Sequence, residues 1–280
     1  MLSKTVSIIG CGWLGLPIAE QLLHEGYTVR GSATSVEKIA VLRQKGIDAH
    51  LLTLSPEPVG NLSTLLQAKT LLINIPPKAG KMGSAFHPQQ IQQIVTAVRH
   101  SPIQHVIYVS STSIYPEQNR IVTESDVTAP PLSAAPALVE AEQLVQSLES
   151  TCTITILRCG GLMGYDRIPG KYVAGRTVDS GAVPVNYLHR DDAVRIVNSF
   201  VAVPKSGTYN VVAPEHPTRE AVYRKSCADF GYELPTFVMP VEPVSYKIIS
   251  SQKLIQAISY EFMYPNPLDF FYELPAQQRP

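Results

Sequence analysis

The segment Val6-Ser7-Ile8-Ile9-Gly10-Cys11-Gly12-Trp13-Leu14-Gly15 opens on a run rich in β-branched residues and closes on three glycines spaced GxGxxG. Pro17 to His24 follows with Ile18 and Leu22 at helical spacing, and Gly26 ends it. The order is strand, tight turn, helix. In that setting Gly10 supplies the sharp turn and Gly12 leaves room for a diphosphate to approach the backbone. Gly15 lets helix and strand pack closely, and the amino end of the helix faces the anion. Gly10, Cys11, Gly12, Trp13, Leu14 and Gly15 are therefore candidate cofactor-binding residues. The bland alternative is a glycine-rich turn with no ligand.

Outward from this turn the alternation continues. Strands are predicted at Thr28 to Arg30, His50 to Leu54, Thr70 to Ile75 and His105 to Ser110, with helices at Val36 to Lys45 and Pro88 to His100. A further helix is expected through Leu138 to Leu148, a strand at Thr153 to Leu157, a helix at His189 to Phe200 and a last strand at Thr208 to Val212. Strands alternating with helices predict an α/β fold with an open, doubly wound parallel sheet. Residues 1–160 are expected to form the dinucleotide-binding domain, with 186–212 returning to it. Residues 161–185, rich in glycine, and 213–280, rich in proline-containing connections, are expected to form a small substrate-binding lid.

The chain has 280 residues, and its 23 Lys and Arg balance 23 Asp and Glu. A neutral chain has little long-range pull on polyanions, which argues against nucleic acid as a partner. Its apolar runs are strand-sized, well short of the ~20 residues that span a bilayer, so no membrane partner is expected. The four cysteines show no ligand spacing and no disulfide framework, and no metal site is expected. Without a secretory leader pattern at Met1, the expected location is the cytoplasm.

About 20 residues past the glycine turn, NAD-binding chains place a carboxylate for the ribose hydroxyls. Here the second strand runs into Gly31-Ser32-Ala33-Thr34-Ser35, with no carboxylate. Hydroxyl donors at Ser32, Thr34 and Ser35, alongside Ala33 and near Arg30 or Lys38, suit a 2′-phosphate, so NADP is favoured over NAD. A simple turn with a helix cap is the alternative.

Further strings extend the pattern: Val109-Ser110-Ser111-Thr112-Ser113-Ile114-Tyr115, Leu157-Arg158-Cys159-Gly160-Gly161-Leu162-Met163-Gly164, Asn186-Tyr187-Leu188-His189-Arg190-Asp191-Asp192-Ala193 and Tyr209-Asn210-Val211-Val212. With the glycine turn, and in this order, they resemble the extended short-chain dehydrogenases/reductases of the NAD(P)-dependent epimerase/dehydratase kind. The resemblance implies a Ser or Thr ending the fifth strand, a Tyr, and a Lys four residues later as the catalytic set, with hydride passing to or from the nicotinamide. Ser111 matches the serine. The YxxxK is absent, because Ala134 and Leu138 stand where its tyrosine and lysine would be, which resembles an atypical branch of the superfamily.

Tyr115, four residues past Ser111, is the first substitute candidate, a packing tyrosine being its plain alternative. His189 reads better as a helix-capping histidine than as an acid/base. Ser110, Ile75 and Pro76 match positions along the cofactor. Arg158, Arg167, Lys171 and Arg176 could hold an anionic small-molecule substrate or be solvated charge, and the resemblance also implies a homodimer. Two functions stay open: an NADP(H)-dependent oxidoreductase or epimerase/dehydratase-like enzyme on a small polar metabolite, and a silent NAD(P)-binding sensor. A flavin or another nucleotide on the same sheet is a third.

Overall fold

Thr5–Ile9 (β1) is buried at every position, as a strand covered on both faces must be. In the computed structural model, which describes residues 4–77 and 82–273, β1 lies inside an eight-stranded sheet. Its other strands are Thr28–Ala33 (β2), Asp48–Leu54 (β3), Pro58–Gly60 (β4), Thr70–Ile73 (β5), His105–Ser111 (β6), Thr153–Cys159 (β8) and Gly207–Val211 (β12). The order is β12-β8-β6-β5-β1-β2-β3-β4. β1 pairs in parallel with β2 and β5, β2 with β3, and β5 with β6. The fold is thus the α/β, doubly wound arrangement expected. Strand order reverses on either side of β1, so the carboxyl ends of β1 and β5 form the switch point at which such sheets bind ligands.

The described residues form two compact units, and the first comprises 4–77, 82–114, 127–158 and 194–209. Period-2 alternation sends Ile9, Leu71, Ile73, Val106, Tyr108, Ile154 and Ile156 into one core with Ile91, Ile94, Val95 and Val98 of Phe86–Val98 (α4) and Ala141 and Val145 of Pro136–Gln146 (α5). Ile91 and Ile94 are fully buried, each contributing about 1.5–3 kcal/mol. Gly15–His24 (α1) packs beside β2, and Val36–Gln44 (α2) beside β2 and β3. A short helix, Leu62–Leu65 (α3), precedes β5. α1 starts at Gly15, two residues before the sequence pattern suggests, because Gly12 and Leu14 already accept the first helical N–H bonds. The antiparallel strand β4 was not foreseen: its proline is tolerated only because it lies at the sheet's edge.

The second unit comprises residues 115–126, 159–193 and 210–273. Three small parallel pairs organise it: Arg120–Val122 (β7) with Lys247–Ile249 (β14), Gly161–Met163 (β9) with Tyr187–His189 (β11), and Thr177–Val178 (β10) with Thr236–Phe237 (β13). Helices Pro169–Val173 (α6) and Arg219–Phe230 (α8) pack together, and Gln252–Ile258 (α9) follows β14. The glycine-rich stretch after Cys159 therefore carries short strands and a helix. Arg190–Ala202 (α7) begins one residue after His189, which ends β11. Among the described residues no helix is long and apolar enough to cross a membrane.

A buried histidine makes the first unit sensitive to acid. Thr155 Oγ1 donates to the Lys205 carbonyl at 2.7 Å, so it accepts from His105 Nε2–H at 2.9 Å and leaves His105 Nδ1 without a partner. Burial, and secondarily the charge of Lys69, holds this imidazole down to about 4. The unfolded chain takes up the proton near 6.5. Stability is therefore full above about pH 6.5 and is lost as pH falls toward 4, by about 3 kcal/mol. Urea unfolding across this range should show the loss, and His105→Gln should flatten it. A wild-type midpoint that does not move between pH 7 and pH 4.5 would refute this.

Candidate functional site

Gly10 takes φ +104°, and a Cβ on it would meet the Asn74 carbonyl oxygen at 2.3 Å, so only glycine fits. A Cβ on Gly15 would lie 2.3 Å from the Gly10 oxygen, which keeps α1 close against the turn. Gly12 differs. A Cβ there would meet nothing within 4 Å. This is the open side of the turn, at the amino end of α1. Leu14 at the N-cap offers no side-chain acceptor, and the first turn carries no acidic residue, so no side-chain anion of the helix competes for that end. The space and the helix polarity fit a diphosphate.

Trp13 is half-buried, and Cys11 and Leu14 are buried. Burial pushes the Cys11 thiol up to about 12, so it serves as packing, as do the other three buried, free cysteines.

Two strand ends hold the turn. From β2, Ser32 Oγ accepts the Gly10 N–H at 3.0 Å and the Ser32 carbonyl accepts the Cys11 N–H at 2.9 Å. After β5, the Asn74 side-chain amide donates to the Gly10 carbonyl at 3.0 Å. Ser32 is buried, so its hydroxyl faces the turn and not solvent. Asn74 carried no signal in the sequence, because a lone amide one residue past a strand has no periodicity to mark it.

Of the remaining residues near β2, Ala33 is buried and Thr34 is exposed. Ser35 caps α2 by accepting the Lys38 N–H at 3.4 Å. Arg30 is committed elsewhere, to Asp48 at 3.2 Å and to the Gln67 carbonyl. Glu37, in the first turn of α2, is an exposed carboxylate held below its ordinary range by its own backbone N–H and then by Ser35. In sequence it reads as an ordinary first-turn helix acid. Ile75 is half-buried and Pro76 exposed beyond β5.

At the end of β6 the two serines point to opposite faces. Ser110 is buried and donates to Glu142 Oε1 at 2.6 Å. Ser111 is partly exposed and its Oγ accepts the Ser113 N–H at 3.1 Å, which leaves the hydroxyl proton to offer. Ala134 is exposed and Leu138 buried, and neither can move a proton. Arg158 is neither solvated nor free for a substrate: its guanidinium bonds Glu142 with a shortest contact of 2.7 Å, deep in the core.

The second unit contains Tyr115 and His189. Tyr115 is fully buried, its hydroxyl donates to Asn210 Oδ1 at 2.6 Å, and its carbonyl accepts from Lys247 Nζ at 2.6 Å. His189 Nδ1 accepts the Asp191 N–H at 3.2 Å, which fixes the other nitrogen, 3.0 Å from the Phe271 carbonyl, as the N–H. Burial keeps this imidazole below its ordinary pKa, consistent with a neutral capping ring.

The family model described as NAD(P)H-binding matches residues 10–193. Protein YeeZ of Escherichia coli (strain K12) is 34% identical over 269 residues, covering 95% of this chain and 98% of that one. UDP-glucuronic acid 4-epimerase from Bacillus cereus, solved with UDP-glucuronic acid and NAD, superposes with a TM-score of 0.76 at 17% identity, over 95% of this chain and 96% of that one. A functionally unknown conserved protein from Silicibacter pomeroyi DSS gives 0.71 at 20% identity, over 95% of each chain. The chain shares its fold with that UDP-glucuronic acid 4-epimerase and belongs to the NAD(P)H-binding protein family.

Proposed function

We propose that this chain is an NADP(H)-dependent oxidoreductase or epimerase/dehydratase-like enzyme acting on a small polar metabolite. The observation that carries the reading is the open side of Gly12 at the amino end of α1, on the sheet's switch point. A bound nicotinamide cofactor would supply the hydride chemistry. The chain's own part is to hold the diphosphate at Gly12 and Trp13 and to orient a substrate carbonyl or hydroxyl with the Ser111 O–H. With Ala134 and Leu138 in place of a proton-transferring pair, the proton comes from another side chain or from water. Tyr115, with its hydroxyl given to Asn210, holds its loop.

Thr34, Ser35 and Lys38 at the start of α2 support a 2′-phosphate, and Arg30 does not contribute. Glu37 favours NAD instead, as does the NAD bound by the Bacillus cereus epimerase. That epimerase also holds UDP-glucuronic acid, which supports an anionic, nucleotide-sugar-like substrate. A silent NAD(P)-binding sensor is the second reading, favoured by Ala134, Leu138 and the buried Tyr115.

Trp13, the sole tryptophan, makes a binding assay direct. Its emission should be quenched on titration with NADPH, at lower concentrations than with NADH. Gly12→Ala adds only a Cβ, which meets nothing within 4 Å, so it should fold with an unchanged melting temperature yet bind at least about 100-fold more weakly. Absence of quenching and of binding by calorimetry with both cofactors overturns the reading. Binding without any change in nicotinamide absorbance across a panel of UDP-sugars favours the sensor.

A further inference from the structure

Gly10 is gripped from both sides by side chains that no sequence motif marks. Its N–H goes to Ser32 Oγ at 3.0 Å and its C=O receives the Asn74 amide at 3.0 Å, while the next N–H, that of Cys11, is taken by the Ser32 carbonyl at 2.9 Å. Ser32 is 3% exposed and sits on β2, and Asn74 follows β5, so the strands on both sides of β1 hold the one residue Gly10 between them. Asn74 is itself registered on β1 by its N–H to the Ile9 carbonyl at 2.9 Å, and its Nδ2 would lie 3.1 Å from a Cβ on Gly15.

A glycine turn is the segment with the most backbone freedom to lose on meeting a ligand. Fixing it beforehand removes that cost from binding. On the reading above, which this inference deepens, we propose that Ser32 and Asn74 are positioning residues that set the glycine turn in its diphosphate-accepting shape before the cofactor arrives.

Ser32 thereby leaves the set that could discriminate the cofactor's 2′ position. Its hydroxyl oxygen is turned to Gly10, and that discrimination passes to the residues from Thr34 onward. Asn74 in turn acts on the cofactor only through Gly10. Both are therefore expected to alter affinity for NADPH and NADH by the same factor, whereas changes at Thr34 or Lys38 should alter the ratio between them.

The test uses the full chain with Ser32→Ala, Asn74→Ala, the double variant and the hydroxyl-keeping Ser32→Thr. Each alanine variant should weaken NADPH and NADH binding alike by about five- to tenfold, the size of one lost hydrogen bond. The double variant should lose less than the product of the two, since both act on one residue, Gly10. In the free protein, the Gly10 and Cys11 amides should exchange with deuterium faster and Trp13 anisotropy should fall. Saturating cofactor should restore both, and Ser32→Thr should bind like wild type. A merely structural role would lower the melting temperature and leave these readouts alone.

If Ser32→Ala does not fold, Asn74→Ala carries the test alone, since Asn74 is only half-buried. Wild-type protein that binds and alanine variants that bind as tightly, with no faster exchange at Gly10 and Cys11, overturn the clamp alone. Wild-type protein that binds neither cofactor overturns the dinucleotide reading, and the clamp with it.

Discussion

Glu142→Ala is expected to cost about 3–5 kcal/mol of stability, because it strands a guanidinium in the core of the first unit. Arg158 reaches Glu142 through Nε at 3.1 and 3.2 Å and through a terminal nitrogen at 2.7 Å, and both side chains are nearly inaccessible to water. Ser110 completes the carboxylate with its own hydroxyl, and Arg158 also donates to the Val127 carbonyl at 2.9 Å. Removing the acid takes away the one carboxylate that the Arg158 charge and the Ser110 hydroxyl share. Glu142→Gln should fall between wild type and alanine, since it keeps one acceptor and loses the charge. Replacing both members, as Glu142→Leu with Arg158→Met, should recover much of the loss, because neither then leaves a buried ion. Urea unfolding of the four proteins measures this, and a loss below about 1 kcal/mol for Glu142→Ala would show the pair to be hydrated.

Asp192→Ala should be comparably damaging, and confined at first to the second unit. The Asp192 carboxylate is fully buried and accepts three hydrogen bonds. They come from the Tyr260 hydroxyl at 2.7 Å, the Met263 N–H at 2.8 Å and the Tyr264 N–H at 3.0 Å. Losing three hydrogen bonds to one carboxylate, at about 1 kcal/mol or somewhat more each, puts the total at about 3–5 kcal/mol. Asp192→Asn keeps one acceptor oxygen but turns an NH2 toward a donor, so it should recover only part. Hydrogen exchange locates the effect: the Met263 and Tyr264 amides should lose protection before those of β5 or β6. Unchanged protection at these two amides would remove the anchoring role assigned to Asp192.

The sheet was legible because its signals are local. β1, the glycine turn and the apolar runs of β5 and β6 announce themselves by composition and spacing, and the helices between them by period. Partners that depend on long-range pairing were not legible. Arg158 reads as a surface cation in sequence, and only the strand order brings it to Glu142. Ser32 reads as a turn hydroxyl that could meet a ligand, yet pleating turns it toward Gly10. Tyr115 follows Ser111 at an inviting interval, and the partner for its hydroxyl, Asn210, is far along the chain. Asn186, whose side chain accepts the Ile249 N–H at 2.8 Å and donates to the Lys247 carbonyl at 2.9 Å, has both partners some 60 residues along the chain. In each case the residue type was visible and its neighbour was not.

The three-residue strand β4 closes one margin of the sheet by running against β3 and opening on Pro58, which has no N–H to offer. Any second molecule seeking to extend the sheet past β4 would find a ladder too short, and partly without donors, to zip onto. Crowded preparations are thereby shielded at that margin from the edge-to-edge stacking that turns open sheets into filaments.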